Sequence, residues 1–103
     1  MAARDMQKGG VAEFEFECDY AGQYDFTGHL SIDPEYGVFN IYFNGQKVAS
    51  NLSLTNYVRD MKEVSFGVVA LKSGINTFAI ELVEYPEGQT RSRFGIDKLI
   101  FQK

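Results

Sequence analysis

Every phenylalanine of this chain falls in a short run that alternates apolar with polar residues: Phe14 and Phe16, Phe26, Phe39 and Phe43, Phe66, Phe78, Phe94 and Phe101. Gly, Asn, Pro and Ser punctuate the gaps between the runs. A period of two belongs to strands that bury one face and wet the other, so the pattern predicts an all-β, antiparallel β-sandwich without a long helix. A chain of 103 residues whose aromatics fill a two-sheet core has few residues left for catalytic machinery. Function is therefore expected in the loops.

The runs can be placed individually. Residues 11–18 put Phe14, Phe16 and Cys18 on one face and Glu13, Glu15 and Glu17 on the other. After a turn at Asp19 to Gly22, residues 23–32 carry Tyr24, Phe26, Leu30 and Ile32 inward, with Thr27, His29 and Ser31 outward. Strand 38–43 follows the loop at Asp33 to Gly37, and Asn44-Gly45 then supplies the strongest short hairpin signal, since both residues tolerate the positive φ of a type I′ turn. Strands are expected at 46–50, 63–71, 75–84 and 93–102, which gives about seven to eight in all. The expected core includes Phe14, Phe16, Phe26, Phe43, Phe66, Phe78 and Ile80.

Antiparallel strands deliver alternate connections to opposite ends of a sandwich. The turns at Asp19 to Gly22, Asn44-Gly45 and Lys72 to Gly74 belong to one end, and the three longer loops, residues 33–37, 51–62 and 85–92, to the other. That loop end collects Tyr36, Asn56, Tyr57, Arg59, Tyr85 and Arg91 as the candidate ligand-binding residues. Tyrosine rings suit the apolar faces of sugars, and planar polar side chains suit their hydroxyls. The same residues suit a plainer use, with tyrosines covering the core and arginines pairing with Asp60 and Glu87.

Composition removes several alternatives. The net charge of −4 and the absence of any basic run give no footprint for nucleic acid or an anionic membrane, and no stretch is long and apolar enough to span a bilayer. Cys18 is the one cysteine, so an internal disulfide and a multi-cysteine zinc site are excluded, and its alternation makes it a small inward-facing residue. His29 falls on the outward face of its strand, away from Cys18, which argues against a Cys-His nucleophile pair. A carboxylate pair such as Asp60 with Glu87 at the loop end is the one arrangement that suggests glycoside hydrolysis, and pairs of this kind arise by chance among 14 acidic residues. No catalytic residue and no cofactor are expected. Residues 1–10 lack the apolar core of a secretory signal and read as a flexible leader, with residues 11–103 as the domain.

Four segments carry a family resemblance: Ala21-Gly22-Gln23-Tyr24-Asp25, Phe43-Asn44-Gly45-Gln46-Lys47-Val48, Leu71-Lys72-Ser73-Gly74-Ile75-Asn76 and Phe94-Gly95-Ile96-Asp97-Lys98-Leu99-Ile100. In this order they resemble the jelly-roll modules of the galactose-binding-domain-like superfamily. Leu52-Ser53-Leu54 through Tyr57-Val58, with Val64-Ser65-Phe66-Gly67, is similar to the jelly-roll domains appended to bacterial glycoside hydrolases and to a family that includes difructose-anhydride-type glycosidases. The resemblance implies a non-catalytic accessory module, in an extracellular or periplasmic setting, that binds carbohydrate or serves assembly. In the second case its partner is a parent catalytic domain or a second copy of itself, and the polar Thr27-His29-Ser31 row is a candidate contact. Relatives often hold a structural calcium, whose late acidic ligand Asp97 matches by position. Glu13, Glu15, Glu17 and Asp19 lack the spacing of the early ligands, so no metal is expected.

Overall fold

The computed structural model describes residues 2–102 and arranges them as eight strands in two four-stranded sheets, with no helix among the described residues. One sheet has the order β1 (Ala2–Met6), β8 (Ser92–Gln102), β3 (Gly22–Ile32), β6 (Asp60–Leu71). The other has the order β2 (Val11–Cys18), β7 (Gly74–Glu84), β4 (Val38–Phe43), β5 (Gln46–Ser53). All pairings between these strands are antiparallel. Only β4 and β5 are consecutive strands within one sheet; every other connection crosses between the layers, which makes the sandwich a jelly roll.

The β4–β5 hairpin turns on Asn44 (φ 48°) and Gly45 (φ 81°), the two positive φ values that a type I′ turn needs. Phe26, Phe39, Phe78 and Phe94 are fully buried between the sheets. Phe26 lies with its ring centroid 3.9 Å from Phe43 and 4.0 Å from Phe101, and Phe43 continues to Phe78 at 5.0 Å. Gly28 makes room for this packing, because a Cβ there would come within 2.9 Å of the Phe66 ring. Phe14 and Phe16, expected in the core, are half-buried and pack against it from β2, since an edge strand has a neighbour on one side only.

Ala2–Met6, assigned by the sequence to a leader outside the domain, form β1 instead, paired antiparallel with β8 and burying Met6. Residue 1 of that expected leader and residue 103 of the expected domain lie outside the described residues. The irregular segment expected at residues 51–62 shrinks to Leu54 through Arg59. Pairing of Ser53 with Val38 and of Asp60 with Ile32 holds its two ends extended.

Candidate functional site

The connections β3–β4, β5–β6 and β7–β8 meet at one end of the sandwich, as strand direction requires. Their bases are tied by main-chain and buried polar bonds. Leu54 N donates to Gly37 O at 3.0 Å, Asn56 N to Asp33 O at 3.2 Å and Arg93 N to Glu35 O at 3.1 Å. Ser92, fully buried, accepts from Gly37 N at 2.9 Å, and Thr55 Oγ1 donates to Tyr36 O at 2.6 Å. Asp33, 4% exposed, accepts from Glu35 N at 2.7 Å and from the Arg59 guanidinium at 3.4 Å. This frame leaves an open groove of about 460 Å³ lined by Pro34, Thr55, Asn56, Tyr57 and Glu87.

Two of the six candidate residues, Asn56 and Tyr57, lie in this groove. Tyr57 is 99% exposed. Asn56 Nδ2 donates to Val58 O at 2.7 Å, which fixes the amide and leaves its Oδ1 as an acceptor. Tyr36 turns inward into the core at 6% exposure, and it lines, with Arg59, a second depression of about 540 Å³ that also includes Ser31, Asp60, Met61 and Asp97. Tyr85 is half-buried and its hydroxyl accepts from Lys8 N at 2.9 Å, which ties it to the β1–β2 connection. Arg91 pairs with Asp5 of β1 at 3.1 Å, away from the first groove. Asp60 and Glu87 line different depressions. Pro34, Thr55 and Glu87 were not among the candidate ligand-binding residues; they sit one or two positions from Tyr36, Asn56 and Tyr85, and only the meeting of three loops joins them.

Among the described residues no buried side-chain N or O atom lacks a hydrogen-bond partner. On the outer face of the second sheet, Asn40 Nδ2 and the Tyr42 hydroxyl both donate to Glu81 Oε1, at 3.1 and 2.9 Å. These bonds hold the Glu81 carboxyl below its ordinary value, and the bond to Glu81, with some burial, raises the Tyr42 phenol above its own. Cys18 is half-buried at the end of β2, its Sγ 3.2 Å from Tyr20 O. His29 is on β3 in the other sheet. The residues do not fit the calcium implied by the family resemblance. Glu13, Glu15 and Glu17 are exposed on β2, Asp97 belongs to β8 of the opposite sheet, and no three His, Cys, Asp or Glu cluster to hold an ion among the described residues.

No family model matches the sequence, and no curated protein matches it. Solved structures do share the fold. The chain is similar to part of a Podospora anserina GH26-CBM35 β-(1,4)-mannanase, with 17% identity, a TM-score of 0.58 and coverage of 98% of this chain and 24% of that one. It is also similar to part of a ruminal GH26 endo-β-1,4-mannanase, at 16% identity and a TM-score of 0.55 over 93% of this chain and 18% of the other. A cycloalternan-forming enzyme from Listeria monocytogenes, solved with a pentasaccharide substrate, matches at 24% identity and a TM-score of 0.57 over 96% of this chain and 9% of that one. The chain thus spans less than a quarter of the length of these three solved chains, and the likeness is one of fold.

Proposed function

We propose that this chain is a non-catalytic accessory module of a carbohydrate-active protein and that its loop-end groove binds sugar. The observation that carries the reading is Tyr57, a ring 99% exposed on the wall of a groove whose base is held by buried bonds. An aromatic ring presented to solvent on a fixed base suits the apolar face of a pyranose, while Asn56 and Glu87 offer acceptors to its hydroxyls. The similarity to segments of two mannanases and a cycloalternan-forming enzyme supports the same class of ligand. The groove is open, which favours weak binding in the millimolar to micromolar range, about 4–8 kcal/mol.

The test is calorimetric titration against a panel of β-mannans, α-glucans and other plant and bacterial glycans. Saturable binding to at least one is expected, and Tyr57→Ala should weaken it about tenfold or more while leaving the melting temperature unchanged. Silence across the panel, or binding indifferent to Tyr57→Ala, overturns the reading.

A further inference from the structure

The edge of a sheet offers unpaired N–H and C=O groups to any strand that can reach them. Three of the four edges here are blunted. β1 is five residues long and irregular in register. β5 is bent at Asn51 (φ 52°), whose N–H is taken by Asn40 Oδ1 at 3.0 Å. β2 carries Glu13, Glu15 and Glu17 on one face, so self-pairing would bring glutamates against each other. The fourth edge, β6, is the longest strand and is exposed from Asp60 to Glu63. Met61 stands opposite Ser31 of β3, yet its N–H donates to the neighbouring Asp60 Oδ1 at 2.8 Å rather than into the ladder. Antiparallel alternation then turns the main-chain groups of Met61 and Glu63 toward the open side.

The sequence at this edge is Arg59-Asp60-Met61-Lys62-Glu63, which reverses into its own charge complement. Two copies can add edge to edge only with residues of like parity opposed, because a one-residue slip turns the side chains to the wrong face. Centred on Met61, the pairing sets Asp60 against Lys62 and Arg59 against Glu63 of the second copy, and every charge meets its opposite. Centred on Asp60 or Lys62, it places like charges on the axis. We propose that this chain self-associates through β6, antiparallel about a twofold axis at Met61, joining the two copies' β1-β8-β3-β6 sheets into one.

The surroundings fit that register. Met61, 44% exposed, lies on the outer face with Ser31, whose Oγ is 3.8 Å from its Sδ, so apolar surface meets at the axis between charged flanks. Arg59 is 72% exposed at its side chain and touches Asp33 at 3.4 Å, which leaves donors for Glu63 of the second copy. Beyond Ser65 the strand bulges at Phe66, with Gly67 at φ 77°, and this confines the pairing to the first half of β6. A stretch so short makes a weak complex. The inference is independent of sugar binding.

Sedimentation of the full chain from micromolar to millimolar concentration tests it. A monomer–dimer equilibrium is expected, in which Lys62→Glu and Asp60→Lys each weaken association about tenfold, while the double variant D60K/K62E restores it. Met61→Pro removes the N–H that pairing would have to take over from Asp60 Oδ1 and should abolish dimers, with circular dichroism reporting the retained fold. A monomer throughout the range, a dimer indifferent to the charge reversals, or a double variant that fails to recover overturns the proposal.

Discussion

At the turn end of the sandwich, Asn76 is fully buried and its side chain is consumed: Oδ1 accepts from Lys72 N at 3.0 Å and from Asn44 Nδ2 at 2.9 Å, and Nδ2 donates to Lys72 O at 2.9 Å. Asn44 completes the knot by accepting from Thr77 N at 2.9 Å. At the loop end, buried Asp33 and Ser92 close the base in the same manner, but the layer above them, Tyr57 and Glu87, is left to solvent. Short turns bring every polar group within reach of a partner. Longer loops satisfy their backbone at the root and project side chains that the fold does not need, and such side chains are free to recognise a ligand.

If that contrast is right, substitutions should lose stability at the turn end and at the loop base, and binding alone at the loop tip. The largest effect is expected from Asn76→Ala, which orphans main-chain groups of Lys72 and a side-chain donor of Asn44; a loss of about 3 kcal/mol should appear in denaturant unfolding. A loss under about 1 kcal/mol would mean the turn end relaxes as loops do. Next is Asp33→Ala, which frees Glu35 N and should cost about 1–2 kcal/mol, with Asp33→Asn recovering most of it by keeping the acceptor. Because Pro34 lines the groove beside Asp33, the same variant should also weaken glycan binding, coupling base to tip.

A smaller effect concerns pH and neither end. Glu81 has a folded pKa below its unfolded value, so its contribution is present above the unfolded carboxylate range and is lost as pH falls through the folded value. Tyr42 has the opposite sign: its raised phenol contributes below the ordinary tyrosine range, and that contribution is lost as pH rises through the folded value. Glu81→Gln should flatten the acid limb of a melting-temperature profile, and an unchanged limb would show that the Asn40-Tyr42-Glu81 bonds are not held in solution. The smallest stability change is expected at Tyr57→Ala, where a melting temperature lowered by several degrees would place the ring in the fold rather than at a site.

Legibility followed the range of the interactions. Asn44-Gly45 could be read directly, because a type I′ turn is fixed by two adjacent residues. The gathering of the long loops was also readable, since strand direction alone assigns each connection to an end. Ala2–Met6 was not readable as a strand: Ala-Ala-Arg-Asp-Met has no sustained alternation, and its extension comes from pairing with β8, more than eighty residues away along the chain. Tyr36 shared its composition and loop position with Tyr57, yet one is 6% exposed and the other 99%.

By itself the sequence determined the class of fold, the hydrophobic face of nearly every strand and the end at which the long loops gather, because period-two alternation and turn chemistry are encoded by neighbours a few residues apart. The tertiary structure alone decided which strands share a sheet, that β6 is an edge strand, and that Pro34, Thr55, Tyr57 and Glu87 line one groove. Those facts depend on which distant strands pair and how the layers stack, and a residue's exposure is set by what the rest of the chain places over it.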